Sequence, residues 1–165
     1  MNKKTLCIAE AGIIAALYVV LTMISAMFGV SSYTIQCRLG EALCLLPVLT
    51  PAAIPGVTIG CLIANLIITG SIFDIVIGTF ATFLGALGAY ALKNGKLRYL
   101  ASFPTVLANA IAVPVIQILM DVPDVMYLFN AFTTAVGEII SCTILGGILI
   151  KIIERSGIMR VLKSK

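Results

Sequence analysis

The sequence predicts an all-α integral membrane protein with six transmembrane helices in a single domain, residues 1–165. Hydrophobic residues make up 61% of the chain and charged residues only 11%, with a mean hydropathy of +1.15. Soluble domains carry about 25% charged residues. Because one helical crossing takes about 20 apolar residues, this length holds about six crossings and leaves no room for a soluble catalytic domain.

The charges and cysteines argue against several other classes of protein. The formal charge is +4, but the basic residues are spread along the margins of apolar segments, so no nucleic-acid partner is predicted. The five cysteines are odd in number and form no CxxC pair, and the chain has no histidine. This pattern indicates neither a disulfide framework nor a metal site, and we expect no cofactor.

The first predicted span covers about residues 7–28 and begins with small residues. Ala11 and Ala15 form one small-xxx-small pair, and Gly12 and Ala16 form a second pair in the neighbouring register. Such pairs let helices approach closely in lipid. Two interpretations stay open: the pairs pack within this protein, or they form a docking face for a partner protein.

The next apolar stretch, about 30 residues long, exceeds one crossing and falls short of two full ones. Pro51 and Pro55 fit the start of a following helix, where a missing N–H costs little. We therefore predict two short or broken spans, at about residues 38–50 and 52–69. A re-entrant hairpin is the alternative, and it leaves the later topology unchanged because it returns the chain to the same side.

Three more spans are predicted at about residues 72–92, 99–120 and 125–150. Six crossings put both termini on one side, and Arg38 alone among the basic residues falls on the other. The basic residues on the side of the termini are Lys3, Lys4, Lys93, Lys96, Arg98, Lys151, Arg155, Arg160, Lys163 and Lys165. The positive-inside rule then predicts that both termini are cytoplasmic.

Almost every polar residue within the predicted spans lies in the outer half. Residues four apart share a helical face, which puts Asn109 and Gln117 on one stripe and Thr134 and Glu138 on another. Ionisable residues inside a membrane usually face an interior cavity and mark a substrate path. The candidate site residues are Arg38, Glu41, Asn65, Asp74, Asn109, Gln117, Thr134 and Glu138.

The types of these residues indicate a class of ligand. Two carboxylates, Glu41 and Glu138, with Asp74 as a third candidate, suit a planar, donor-rich, neutral or cationic solute, because a carboxylate accepts two N–H donors from an amidine-like edge. This favours a nucleobase-like compound over a sugar or a fatty acid. Arg38 either neutralises and orients Glu41, three residues away, or contacts the solute itself. Neutralisation by a nearby basic residue does not account for the presence of Glu138, since no basic residue lies within one helical turn of it.

Several motifs are absent from the sequence. There is no GxxxxGK[ST] phosphate-binding loop and no nucleophile and base pair, so we predict that the chain is not an enzyme. No clear repeat relates residues 1–80 to residues 81–165, which weakens the case for a free-standing alternating-access carrier. Uphill transport would therefore need energy from another subunit.

Four segments carry a resemblance to a known family: RLGEAL, LPVLTP and GCLIAN in spans 2 and 3, and VGEIISC in span 6. Together with the small residues of span 1, they resemble the QueT family of substrate-binding S-components of energy-coupling factor (ECF) transporters, over nearly the whole chain. The resemblance implies an S-component bundle in a prokaryotic plasma membrane. It also implies uptake of a queuosine precursor, a 7-deazaguanine base such as 7-aminomethyl-7-deazaguanine or queuine.

The resemblance further implies partner proteins. These are EcfT, a transmembrane coupling protein, and the cytoplasmic ATPases EcfA and EcfA′, which would hydrolyse ATP. In the family scheme the S-component binds substrate from outside, topples in the membrane on docking, and releases substrate inside. Ala11 and Ala15 match the AxxxA docking motif, with Gly12 and Ala16 as the alternative register.

Depth and chemistry, taken together with the family's substrate class, predict roles for the site residues. We expect Glu41 and Glu138 to accept hydrogen bonds from the base or from an aminomethyl group. The amides of Asn65, Asn109 and Gln117 would fix its orientation.

Three alternatives remain open. The first is an S-component for another vitamin such as riboflavin, thiamine or folate, although paired carboxylates argue against folate, itself a dianion. The second is a membrane assembly or scaffold protein whose polar residues bind a neighbouring subunit. The third is an intramembrane enzyme, which lacks an obvious catalytic pair. Retention of a small ligand through detergent extraction would favour the S-component over the scaffold.

Overall fold

The computed structural model describes residues 2–28, 38–121 and 127–156, and the regular elements in these ranges are all helices. This confirms the predicted all-α class. The basic residues Arg160, Lys163 and Lys165 lie outside the described ranges. We number the helices in chain order as helix 1 Lys3–Met27, helix 2 Leu39–Val48, helix 3 Ala53–Ile68, helix 4 Asp74–Ala91, helix 5 Phe103–Leu119 and helix 6 Tyr127–Arg155.

The six helices differ in length. Helices 1, 4 and 6, of 25, 18 and 29 residues, are long and apolar enough to cross a membrane. Helices 2, 3 and 5 have 10, 16 and 17 residues. Helix 5 begins later than the predicted position 99 because the chain first makes a 3₁₀ turn at Gly95–Leu100. Pro104 then lies in the first turn of helix 5, where its missing N–H costs little.

Helix 2 is a 3₁₀ helix and the innermost element of the bundle. Its residues 40–47 are all buried, and it contacts helices 1, 3, 4 and 6. A 3₁₀ helix rises about 2.0 Å per residue, so ten residues span roughly 20 Å instead of the 15 Å of an α-helix. The 3₁₀ geometry therefore lets a short segment extend farther through the bundle. Such long 3₁₀ runs are uncommon.

Helices 1 and 3 run in the same direction with their backbones close together. A Cβ atom placed on Gly56 would lie 2.9 Å from the backbone oxygen of Ala11, and one on Gly60 would lie 3.0 Å from that of Ala15. Glycine is required at both positions because no side chain fits there without a shift of backbone. The contacts explain why helix 3 contains these two glycines four residues apart.

Helices 5 and 6 run in opposite directions. Asn109 bonds to Glu138, and Thr143 bonds to Ser102, so a later residue of one helix meets an earlier residue of the other. Helices 3 and 4 also run in opposite directions.

The distribution of side chains is that of a membrane protein, with large apolar residues on the outside and polar residues inside. Leu66, Phe80 and Ile111 are more than half exposed. Glu41 and Glu138 are only 1% and 3% exposed. Because charged groups within a membrane are costly and usually face the bundle interior, this arrangement supports both the membrane environment and an internal function for the carboxylates.

Candidate functional site

Six of the eight predicted site residues line one small cavity among helices 2, 4, 5 and 6. Its volume is about 30 Å³, and the lining residues are Arg38, Glu41, Asp74, Gly78, Asn109, Ala112, Val113, Ile116, Thr134 and Glu138. This volume is about the share of one water molecule in the liquid. The conformation is therefore closed around its polar groups. We call this the carboxylate cavity.

Glu41 is held from two sides within the protein. The hydroxyl of Tyr18 on helix 1 donates to Oε1, and the Cys44 thiol one turn along helix 2 donates to Oε2 at 3.0 Å. Tyr18 and Cys44 are both fully buried. Tyr18 was not among the predicted site residues. The available signal was a single hydroxyl-bearing aromatic residue in an apolar helix, since a buried tyrosine hydroxyl usually has a partner.

Arg38 reaches helix 3. Its Nη1 donates to Oδ1 of Asn65 at 3.2 Å, and Nδ2 of Asn65 donates to the backbone oxygen of Asp74 at 3.0 Å. No direct ion pair between Arg38 and Glu41 is found in the described part of the chain. Neutralisation of Glu41 by Arg38 through direct contact is therefore not what the structure shows. Asn65 does not itself line the cavity, but its two hydrogen bonds link Arg38 to the start of helix 4.

Glu138 and Asn109 connect helices 5 and 6. Nδ2 of Asn109 donates to Oε1 of Glu138 at 3.0 Å, and both side chains are buried. Thr134, one turn before Glu138, is also buried and lines the cavity. Gln117 shares the helical stripe of Asn109 but does not line the cavity. The structure thus joins the predicted amide of Asn109 directly to the predicted carboxylate of Glu138. It leaves the amide of Gln117 outside the cavity.

Each of the three carboxylates lies in or beside a segment with non-α backbone. Glu41 is in the 3₁₀ helix 2, Asp74 begins a π-helical turn at Asp74–Gly78, and Glu138 directly precedes another at Ile139–Leu145. π-helical turns inside α-helices occur frequently at functional sites. π-helical turns also change which residues share a helix face. Regular α-helical spacing therefore could not predict reliably which way these side chains point.

The two small-residue pairs of helix 1 face different surroundings. Ala15 is buried and Ala11 partly buried, against Gly60 and Gly56 of helix 3. Gly12 and Ala16 are exposed, and a Cβ atom on Gly12 would meet nothing within 4 Å. The first pair therefore packs inside the bundle, while the second is on its surface.

A second and larger cavity, of about 680 Å³, lies between the ends of helices 2 and 6 and the start of helix 5. It is lined by Leu45, Val48, Gly95, Arg98, Ser102, Thr143, Ile144, Gly147, Ile148, Ile150, Lys151 and Glu154. Arg98 and Glu154 pair with each other and are 38% and 41% exposed. Surface ion pairs contribute little. We call this the open cavity and do not assign the site to it, because its charged side chains remain accessible at the surface.

Within the described ranges, no group of three His, Cys, Asp or Glu side chains is arranged to hold a metal ion. The carboxylates of the carboxylate cavity come from three different helices. Their chemistry is that of separate hydrogen-bond acceptors around a central space.

Comparison with known proteins gives a consistent result. The model of the family described as QueT transporter matches residues 8–155. The chain is also 30% identical, over 168 aligned positions, to a protein of Lactococcus lactis subsp. cremoris (strain MG1363) named queuosine precursor transporter QueT; the match covers 96% of this chain and 99% of that protein. No solved structure matches the chain. With its all-helical membrane fold and its buried carboxylates, the chain belongs to the QueT transporter family.

Proposed function

We propose that the protein is the substrate-binding S-component of an ECF transporter and captures a queuosine precursor, a 7-deazaguanine base such as 7-aminomethyl-7-deazaguanine or queuine. The Lactococcus relative is named a queuosine precursor transporter, and members of the family are transporters rather than enzymes. The observation that carries the proposal is the carboxylate cavity, in which polar residues of four helices, including the buried Glu41 and Glu138, surround one small space.

The donors and acceptors of this cavity complement a deazaguanine. The pyrimidine edge of the base carries adjacent N–H donors, which one carboxylate can accept together. Glu138 is the acceptor we assign to that edge, because Asn109 already orients it from helix 5 at 3.0 Å. An amide can then serve the base carbonyl. Glu41, fixed by Tyr18 and Cys44, provides a second negative group across the cavity.

The cavity must widen to hold such a base. Pockets for small organic ligands have about 300–1,000 Å³, whereas the closed cavity has about 30 Å³. Helices 2, 4, 5 and 6 therefore move apart when the base binds. The π-helical turn Asp74–Gly78 in the cavity wall interrupts the α-helical hydrogen bonding of helix 4, and such turns occur frequently at functional sites.

The proposed orientation places both termini in the cytoplasm of a prokaryotic cell, with six crossings of the plasma membrane. Arg98 and Glu154 bring the turn before helix 5 to the end of helix 6, which gathers basic residues at one end of the bundle. The carboxylate cavity then lies toward the exterior, where substrate arrives. Partners EcfT, EcfA and EcfA′ supply docking and ATP hydrolysis.

Helix 1 offers a docking face to EcfT through its exposed small residues. Of the two registers, Gly12 and Ala16 are favoured, because Ala11 and Ala15 pack against helix 3. Leucine at both Gly12 and Ala16 is expected to abolish uptake in an assembled transporter while substrate binding by the purified protein is unchanged. The double variant with Ala11→Leu and Ala15→Leu is expected to lose both uptake and substrate binding, because the larger side chains disrupt the bundle. Full uptake by the Gly12 and Ala16 double variant would contradict this assignment.

The substrate class is tested by calorimetric titration of the detergent-solubilised protein with 7-aminomethyl-7-deazaguanine, queuine, guanine and riboflavin in parallel. We expect tight binding of a deazaguanine, with guanine at least about a hundredfold weaker, which corresponds to about 2.7 kcal/mol. Binding of riboflavin alone would keep the S-component assignment and overturn the substrate. Absence of binding by all four would favour a scaffold function.

A further inference from the structure

The open cavity has the volume of a ligand site, but the proposed capture of a base does not use it. It has about 680 Å³, within the roughly 300–1,000 Å³ of pockets that hold small organic molecules. Its apolar lining includes Leu45 and Val48 of helix 2 and Ile144 and Ile148 of helix 6. The two isoleucines are 52% and 51% exposed. The apolar lining is therefore continuous with the outer surface of the bundle, which faces lipid in a membrane protein.

The charged lining residues are grouped where the end of helix 6 meets the turn before helix 5. Arg98 of that turn pairs with Glu154 of helix 6, so these two charges offset each other. Lys151, one turn before Glu154, is exposed and has no ion pair within the described ranges. Two basic residues and one acidic residue give the described lining a net charge of +1. The adjacent Arg155 is also basic and exposed. This end of the bundle therefore favours an anionic ligand.

Two hydroxyl groups add hydrogen-bonding capacity to the lining. Thr143 of helix 6 donates to Ser102, just before helix 5, at 2.9 Å, and both side chains line the cavity. Gly147, one turn after Thr143, lines the cavity without a side chain, and a Cβ atom there would meet nothing within 4 Å. The cavity is therefore open up to the backbone of helix 6 at this turn. Charged, hydroxyl and apolar groups together suit an amphipathic ligand.

A phospholipid fits this space better than a helix of a partner protein does. An α-helix is about 10 Å across, so two turns of it occupy roughly 850 Å³, more than the cavity holds. A single acyl chain is unbranched and much thinner. Basic pockets between transmembrane helices on the cytoplasmic side bind anionic lipid head groups. The proposed orientation places this end of the bundle on that side.

We propose that the open cavity binds one anionic phospholipid of the cytoplasmic leaflet. Nζ of Lys151 donates to the phosphate, and an acyl chain lies against the apolar residues of helices 2 and 6. The inference uses the proposed orientation of the protein in the membrane but not the identity of the transported substrate.

Native mass spectrometry of the full-length protein, released from detergent micelles, tests the inference. The probes are dioleoylphosphatidylglycerol, which is anionic, and dioleoylphosphatidylcholine, which is zwitterionic and has the same acyl chains. We expect one bound phosphatidylglycerol, with an affinity at least about fivefold higher than that of phosphatidylcholine, the factor that one basic residue near an anionic lipid contributes. Equal affinity for the two lipids would overturn the inference.

Two pairs of variants make the assignment specific. Lys151→Gln is expected to lose about fivefold in affinity for phosphatidylglycerol and to bind phosphatidylcholine as before. Lys93→Gln is the matched control, because Lys93 lies over the ring of Tyr90 and outside the cavity lining. Gly147→Leu fills the cavity and is expected to lose both lipids, whereas the smaller Gly147→Ala keeps them. Thermal unfolding in detergent verifies that each variant is folded.

The results that contradict the inference differ from those that contradict the proposed function. A preference for phosphatidylglycerol that persists in Lys151→Gln, or lipid retained by Gly147→Leu, would show that the lipid binds elsewhere. No bound lipid in the wild type, with assembly of the transporter blocked by Gly147→Leu, would replace the lipid with a partner protein. Titration of the same samples with a deazaguanine reports on the proposed function, which stands or falls independently of the lipid.

Discussion

Helix 6 holds two glutamates in opposite ways. In the first half of the helix, Glu138 is 3% exposed and bonded to an amide of helix 5. Near its end, Glu154 is 41% exposed and paired with Arg98. The cavity beside Glu154 has about 680 Å³ and the one beside Glu138 about 30 Å³. The larger space is thus found where the charges are satisfied at the surface.

This difference shows that volume is a poor guide to the site in this protein. A charged side chain at a bundle surface costs little and implies little. A carboxylate in the interior of a membrane protein is costly, so its presence there indicates a function. The carboxylate cavity is therefore the better candidate, and the proposed binding of a base there would require a change of conformation.

The largest effect is expected from removal of the buried charge. Glu138→Gln keeps the side chain's shape and an acceptor for Asn109, but it should weaken binding of 7-aminomethyl-7-deazaguanine by at least about tenfold, since hydrogen bonds to charged groups contribute about 1.5–3 kcal/mol. Calorimetric titration gives the affinity. The matched variant Glu154→Gln is expected to bind as tightly as the wild type. Equal losses in both variants would remove the distinction between the two glutamates.

The close packing of helices 1 and 3, which holds Tyr18 in place, predicts a second contrast. Gly60→Ala places a Cβ atom 2.7 Å from Cβ of Tyr18 and 3.0 Å from the backbone oxygen of Ala15. We expect destabilisation by about 1–3 kcal/mol, as for other overpacked sites. Gly147→Ala, in the open cavity, meets nothing within 4 Å and should be neutral or stabilising, because alanine favours helix. Thermal unfolding in detergent measures both, and similar midpoints would contradict the packing described.

The smallest effect is expected from loss of one hydroxyl group. Tyr18→Phe removes the donor to Oε1 of Glu41 and should cost about 0.5–1.5 kcal/mol of stability, with a severalfold loss of affinity as Glu41 becomes less well positioned. Tyr90→Phe is the control. Tyr90 lies at the C-terminal end of helix 4 with its ring 3.7 Å from Nζ of Lys93, and phenylalanine keeps that ring. Unchanged unfolding and affinity in Tyr18→Phe would show that Tyr18 does not position Glu41.

The sequence was sufficient to predict the helical class and the group of polar residues, and physical reasons explain both. Apolar composition and length determine that a chain becomes a helical membrane protein. The cost of burying Glu41 and Glu138 directs them to a common interior. Helical spacing correctly predicts that Asn109 of helix 5 lies near the cavity. Gln117, on the same helical stripe, does not line it.

The contacts of individual side chains could not be predicted in the same way. The proximity of Arg38 and Glu41 in sequence suggested mutual neutralisation, but in a 3₁₀ helix Arg38 reaches Asn65 on helix 3. The choice between the registers of Ala11 and Gly12 depends on which face helix 3 covers, and no local pattern contains that information. The role of Tyr18 depends on a residue 23 positions away.

The most direct test is a structure of the protein bound to 7-aminomethyl-7-deazaguanine. We predict that the base lies between Glu41 and Glu138, with Asn109 still bonded to Glu138 and the carboxylate cavity widened from about 30 Å³. Ligand density in the open cavity beside Arg98 and Glu154, with the carboxylate cavity still closed, would contradict it.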